Sequence, residues 1–457
     1  MRLSIHEERS GTLACVLLAI AVTVVAWGAV PWGTFQFDDF RNVVRDPATT
    51  ELAVLLERLP HGLRPLTRLS YFLDAQLYGM QPAGLLSTNL LLHLVSVLLV
   101  FALARRRLSS TGALLAALFF AVQPANAEVV AYVSGRSTGL MTPLLLAGLL
   151  QYDRQRTSSA LLFFGLACLA KEHALIFPML VLVWELTRTE SRPAAVRAVL
   201  LVAIAAGVVS GILFSLESYR ALVSHALADR SIGQSLLANG RAIPEMLSLW
   251  VRPWALSADH EFNPHLRLAA SLAGLLFLAG AALVAFALRR RSPILALAIL
   301  WSLVALLPTN SVLAKPDLVT EKPLYLAWVG PSFAIGAALS ALFSAIAHRA
   351  ARPALMGFAA VLLFALIGAS VWRASLWRDP VALWRDAVAK APYKSRCWNN
   401  LGMASLVAQR EAEAVLAFQR AVFLDPANEY ASLNLATARA VCRSECYGPW
   451  DAERPRR

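Results

Sequence analysis

Eleven apolar runs govern what this 457-residue chain can become; they fall near residues 11–30, 86–104, 110–122, 138–152, 158–170, 174–187, 196–216, 268–288, 293–307, 324–345 and 354–372. Most are roughly 15 to 22 residues long, which suits helices crossing a hydrocarbon core about 30 Å thick. Inside lipid every backbone polar group needs an internal partner, so only helices and closed barrels span it, and the short alternating strands of a barrel are absent. Composition agrees, with 58% hydrophobic and 16% charged residues against about 25% charged in a soluble domain. The expected fold class is all-α, a polytopic membrane helix bundle.

Arginine sets the orientation. Arg105, Arg106 and Arg107, then Arg154 and Arg156, then Arg188, Arg192 and Arg197, then Arg289, Arg290 and Arg291, then Arg349 and Arg352 fall in loops on one side of such a bundle. The positive-inside rule makes that side cytoplasmic. This topology accounts for the net charge of +13, and no aromatic-interleaved basic face points to nucleic acid. The first run is long for a signal peptide and follows Glu7 and Glu8, so it reads as a retained span. The stretch 230–255, interrupted by Arg241 and Glu245, reads as an interfacial helix on the outer face. Eleven crossings put the N-terminus inside and the C-terminus outside.

Beyond residue 372 the pattern changes to amphipathic helix, which divides the chain into a membrane domain, 1–372, and a tail, 373–457. Trp398, Leu401, Gly402, Ala414, Phe418 and Pro426 fit the tetratricopeptide signature, and a 34-residue shift reaches Trp384, Ala387 and Pro392 on one side and Leu435 on the other. The tail is therefore expected to be a short helical repeat stack leaning on the membrane domain, either binding an extended peptide or serving as a lid. Cys15, Cys168, Cys397, Cys442 and Cys446 show no metal-type spacing. Free thiols are expected, with a Cys442–Cys446 pair as the alternative in an oxidising compartment.

Short polar clusters recur at the outer ends of the spans, where ionisable groups are costly and usually functional. Asp38 and Asp39 follow the first run; being adjacent they point apart, which suits one general base and one orienting group, or a cap for a helix starting near Phe40. Arg64 and Arg68, four apart, would share a helical face able to hold a lipid phosphate. Asn89 and His93 lie within the second span as interhelical hydrogen-bonding groups or site residues. Glu128 and Arg136 are eight apart and would lie near one face of a continuous helix. Lys171, Glu172 and His173 form a polar triplet in which Lys171 would neutralise a leaving phosphate. Glu321, Lys322 and Tyr325 add an acid, a cation and a phenol.

With Phe37-Asp38-Asp39, Arg64-Pro65-Leu66-Thr67, Asn89 with Leu92-His93, Pro124 with Glu128, Ser134-Gly135-Arg136, Lys171-Glu172, Leu307-Pro308-Thr309-Asn310 and Glu321 with Leu324-Tyr325-Leu326 in this order, the chain resembles the transmembrane and tetratricopeptide repeat O-mannosyltransferases and their bacterial relatives. These are membrane glycosyltransferases of the GT-C class. The resemblance runs nearly end to end; it departs at Gln123 and near Asn126, where the family has His, and at Lys322, where Arg is common. It implies an inverting transfer from a polyprenyl-phosphate sugar to a protein Ser or Thr hydroxyl on the periplasmic face of a bacterial inner membrane. Asp38 or Asp39 would be the base, with Glu128 beside them, and Lys171, Arg136 or Arg64 would stabilise the departing phosphate. No metal or cofactor is assigned, although the acids leave room for a divalent ion. Two alternatives stand: a lipid or polysaccharide acceptor, or a non-catalytic scaffold whose tail recruits partners.

Overall fold

The computed structural model describes residues 2–188, 195–229, 231–262, 267–307, 317–345 and 351–442. Among them the regular structure is helical, without strands. Helices stand at all eleven expected positions: Arg2–Trp27, Pro82–Ala104, Ser110–Ala121, Arg136–Asp153, Thr157–Ala170, Phe177–Leu186, Ala195–Ser215, Leu268–Leu288, Pro293–Leu306, Lys322–Ala327 running on into Val329–Ala345, and Ala351–Leu376. By length and composition five of these segments can each cross a membrane, Gly11–Trp32, Pro82–Ala104, Leu268–Leu288, Lys322–Ala345 and Pro353–Leu376. A sixth is added if Ser110–Ala121 and Pro124–Val130 count as one span, and shorter apolar helices occupy Thr157–Ala170, Val199–Ser215 and Pro293–Leu306. The chain is a multi-pass membrane protein.

Small residues let the central helices approach. A side chain added at Gly336 would strike the backbone of Gly112 and Ala116, so the 110–121 and 329–345 helices meet backbone to backbone, as helices in lipid do through Gly and Ala. Pro124 decides the outer end of the 110–121 helix. Lacking an N–H, it cannot continue the helix, and it holds Gln123 extended, with ψ at 119°. The chain bends by 55° and runs as the short turns Pro124–Asn126, Ala127–Val130 and Val133–Gly135 before Arg136 starts the next helix.

The two ends of the bundle differ in chemistry. At one end Arg106 meets the buried Asp153 at 2.6 Å, Arg188 meets the same carboxylate, and Arg107 donates to the Thr187 carbonyl at 3.0 Å. Arg192 and Arg349, expected on this side, lie outside the described residues. At the other end lie the Asp38/Asp39 loop, the Pro124–Gly135 shelf, Lys171-Glu172 and Glu321-Lys322. The 230–255 stretch forms the helix Ile232–Ser248, opened by a reciprocal Ser231–Gln234 capping box and packed on Leu268–Leu288.

Four helices follow the bundle, Pro380–Lys390, Ser395–Val407, Glu411–Leu424 and Glu429–Val441, each packed on the next. Gly402 faces the Phe418 ring, which an added methyl would strike. Cys15, Cys168 and Cys397 are free, but Cys442 is disulfide-bonded, which corrects the expectation of a free thiol there. Cys446 lies outside the described residues.

Gly336→Leu is expected to destabilise the purified protein by about 1–3 kcal/mol through overpacking, measured as a lowered unfolding midpoint in detergent. Gly280→Leu, where nothing lies within 4 Å, is expected to leave the midpoint unchanged.

Candidate active site

The first helix ends at Trp27, and the chain turns through Val30–Trp32 into an extended stretch, 33–36. Phe37 then takes φ of +37°, a region costly for a side chain of this size. It leads into the two aspartates, which differ in burial. Asp39 is fully buried: one oxygen accepts from the Gln36 N–H at 3.0 Å, and the other accepts from the Ser134 N–H at 2.8 Å and the Ser134 hydroxyl at 2.5 Å. It makes no side-chain cap to the π-turn Phe40–Val44, so the alternative of a cap does not hold for Asp39. Asp38 is half-buried; its N–H donates to the Tyr132 hydroxyl at 3.1 Å, and its carboxylate accepts no hydrogen bond among the described residues.

Burial raises the Asp39 pKa from 3.8 to about 6, with the Ser134 and Gln36 hydrogen bonds and the Lys322 charge pulling the other way. The folded value lies above the unfolded one, so ionisation costs folding stability. That cost is absent below the unfolded value and complete above about 6, and this group destabilises the protein as pH rises through the window.

The Pro124 bend brings the second acid. One oxygen of Glu128 accepts the backbone N–H groups of Glu321 and Lys322, both at 3.0 Å, and the other lies 3.4 Å from the Lys322 ammonium. That ammonium sits over the Tyr132 ring, 4.6 Å from its centre, so Tyr132 joins Asp38 to Lys322. Glu321 is fully buried: one oxygen accepts from the Ser257 N–H at 2.7 Å, stands 3.1 Å from His260 Nε2, and lies 3.6 Å from the buried Arg373. Asp38, Asp39, Glu128, Glu321 and Lys322 thus form one connected cluster.

A second cluster lies around Glu172. Arg64 precedes the helix Pro65–Tyr78 in left-handed backbone, φ 56°, so it shares no helical face with Arg68, contrary to the sequence expectation. It grips Glu172 with two hydrogen bonds, 2.9 and 2.5 Å. Burial alone would raise the Glu172 pKa, but the Arg64 charge and hydrogen bonds hold it at about 2. Arg68 pairs instead with Asp46 at 3.1 Å. Lys171 donates to the Thr138 hydroxyl at 2.7 Å, and His173 stands 2.8 Å from the Ala305 carbonyl.

Arg136 belongs to the framework. It is fully buried, donates to Asp74 at 2.7 Å, the Leu85 carbonyl at 2.6 Å and the Ser70 hydroxyl at 3.3 Å, and also bonds Asn89. It does not share a continuous helix with Glu128, and with these partners it is closed to a phosphate, which corrects both expectations. Asn89 reaches the Tyr132 carbonyl at 2.8 Å, tying the second span to the shelf. His93 Nε2 faces the Ala121 carbonyl at 3.1 Å, which requires an N–H there, so Nδ1 accepts from the Tyr325 hydroxyl at 2.7 Å. Tyr325 is fully buried in this contact.

Tyr132, Ser257, His260 and Arg373 were not singled out from the sequence, and Ser134 appeared only within a motif. Arg373 offered a signal, an arginine in the last turn of an apolar helix; the expected run stopped one residue short of it. Pro308, Thr309 and Asn310 lie outside the described residues. Among the described residues no three His, Cys, Asp or Glu side chains gather as a metal site.

A multi-pass helical bundle with acids and cations joined in one cluster at one rim defines the class of this protein. The chain is similar to protein O-mannosyl-transferases, which bears out the resemblance carried by the motifs: 26% identity over 221 residues with one from Caenorhabditis elegans (44% of this chain, 32% of that protein), 32% over 164 residues with one from Drosophila melanogaster (33% and 19%), and 32% over 158 residues with one from Homo sapiens (31% and 18%). It spans a third or less of the length of these curated relatives. No family model matches the chain. Among solved structures it is similar to the Archaeoglobus fulgidus oligosaccharyltransferase, in the apo form at TM-score 0.46 and 14% identity (80% of this chain, 56% of that one) and tethered with an acceptor peptide at 0.45 and 11% (80% and 55%).

Arg136→Met is expected to cost about 3–5 kcal/mol, because it strands the buried Asp74 carboxylate; an unchanged unfolding midpoint would contradict the framework role. Ser134→Ala is expected to move the Asp39 pKa above about 6, read as a shift of its carboxyl band in pH-difference infrared spectra.

Proposed function

We propose that this chain is a membrane glycosyltransferase that moves a sugar from a polyprenyl-phosphate carrier to a Ser or Thr hydroxyl of a protein, with inversion, at the rim where Asp38 lies. The observation that carries this reading is the division of labour between neighbouring carboxylates: Asp39 is locked by Gln36 and Ser134, while Asp38, whose N–H donates to the Tyr132 hydroxyl, keeps a carboxylate that no described residue engages. The names of the relatives, protein O-mannosyl-transferases, support it.

In this reaction Asp38 takes the proton of the acceptor hydroxyl as that oxygen attacks the anomeric carbon. The carbon–oxygen bond to the carrier phosphate breaks on the opposite face, which inverts the centre, and the bonding pair leaves with the phosphate. Cations aimed at that developing charge stabilise the transition state. With Arg136 closed off, the half-buried Lys322 and Arg64 are the groups in place for it, with Lys171 behind them. Asp39 fixes the loop that carries the base.

The proposed site faces the periplasm of a bacterial inner membrane, with the arginine end of the bundle cytoplasmic. The disulfide at Cys442 supports an oxidising surrounding for the tail. Residues 1–372 form the transferase domain and 373–457 a periplasmic tetratricopeptide unit that helps present the acceptor.

Intact-mass comparison of periplasmic and surface proteins from cells with and without this gene is expected to show hexose-sized or pentose-sized losses. Asp38→Asn, at normal protein level, is expected to reproduce the deletion, since a positioned base contributes about 10²–10⁴ in rate. Unchanged masses in the deletion strain would overturn the function, and full modification by Asp38→Asn would overturn the role of the base.

A further inference from the structure

The first helix of the tail, Pro380–Lys390, touches both sides of the carboxylate cluster. On one side the Trp384 ring stands edge-on to Phe37, with centroids 5.6 Å apart. Phe37 directly precedes Asp38 and takes a positive φ, so this ring contact bears on the strained residue that leads into the two aspartates. Next to it, Gln36 donates to the Trp377 carbonyl at 3.0 Å, where the last bundle helix hands over to the tail.

On the other side stands Arg373. Its guanidinium is fully buried between Glu321 of the bundle, at 3.6 Å, and Asp386 of the tail, at 3.1 Å. Asp386 also takes Lys390 at 2.7 Å, and Lys390 donates to the Leu256 carbonyl at 2.7 Å. A buried guanidinium held by two carboxylates is strongly destabilised when one is lost. Removing Asp386 leaves Arg373 with Glu321 alone, and Glu321 and Lys322 hang by their backbone N–H groups from Glu128.

The docking itself is firm. Asp259, almost fully buried, receives Lys394 at 2.6 Å and Arg396 through both guanidinium arms at 2.7 and 2.6 Å, and Asp317 receives the same two cations at 3.0 and 2.7 Å. A module that swings freely to deliver an acceptor has no need of a fourfold ionic clasp at its base.

We infer that the tail's first helix is part of the framework of the transfer site, with Trp384 positioning the Asp38 loop through Phe37 and Asp386 positioning Glu321 and Lys322 through Arg373. This deepens the proposed function and rests on it for its kinetic consequence, but its geometric consequence stands without it. None of these tail residues touches substrate; they are positioning residues.

The test uses the purified full-length protein, with tail integrity checked by limited proteolysis. Asp386→Asn is expected to lower kcat at least tenfold with the donor KM within twofold, and to raise amine-reagent labelling of Lys322, quantified by mass spectrometry, severalfold; Asp386→Glu is expected to restore both. Phe37→Gly keeps the positive φ accessible while removing the ring, so it probes the other side with no substitution in the tail core. It is expected to lower kcat similarly and to raise carbodiimide labelling of Asp38. Wild-type labelling at Lys322 and Asp38 in the two variants, with intact tails, would overturn the inference. Labelling that follows the variants in a protein transferring no sugar would uphold the inference and remove the proposed function instead. Should Asp386→Asn release the tail, wild-type Lys322 labelling in the released form would overturn the inference, and raised labelling would support it.

Discussion

The outer rim of this bundle is ruled by one constraint: a charge at the edge of an apolar medium must have a partner. Nearly every ionisable group there meets it through a group on a different segment of chain, and that is what ties the segments together. Asp39 is held by Ser134 on the shelf, Lys322 by Glu128 and the Tyr132 ring, Glu321 by His260 and Arg373, and Arg373 by Asp386 of the tail. Five stretches far apart in sequence are thereby drawn into one surface. Within this set of carboxylates Asp38 differs, since no described residue engages its oxygens, and the proposed chemistry is assigned to it for that reason.

The rest of the fold supplies the backing. Close packing of Gly112 on Gly336 sets two central helices together, the Pro124 break turns one of them into the shelf, and the Arg136–Asp74 pair with Asn89 fixes that shelf to the second span. At the far end the arginine loops gather on Asp153 and on the carbonyls that end the 177–186 helix. The asymmetry between an arginine-rich end and a carboxylate-bearing end is the physical basis for the orientation proposed here.

The helices were legible in the sequence because hydrophobic run length reports them directly: ends such as 268–288 and 157–170 agree to within a residue or two. The polar groups were legible as types but not as pairs. Arg64 with Arg68 and Glu128 with Arg136 satisfy helical spacing, yet a left-handed residue at Arg64 and the turns between 124 and 135 break the helices that spacing assumes. Partners far off in sequence, such as Glu172 for Arg64, 108 residues away, and Glu321 for Arg373 across the bundle rim, leave no local signature. The sequence divides Asp38 and Asp39 into a base and an orienting group without saying which is which, and the Ser134 and Gln36 contacts assign the held position to Asp39. Trp384 read as a repeat-core residue, and its contact with Phe37 was invisible to any spacing rule.

The most direct measurement is transfer in a purified system, with wild-type protein in detergent, a panel of labelled polyprenyl-phosphate hexoses and pentoses as donors and a Ser/Thr peptide as acceptor, and the product linkage determined by NMR. The account expects a labelled peptide whose anomeric configuration is opposite to that of the donor. Product with retained configuration would contradict direct displacement with Asp38 as base, and unlabelled peptide across a panel of lipid-linked hexoses and pentoses would contradict the assignment of this rim to glycosyl transfer.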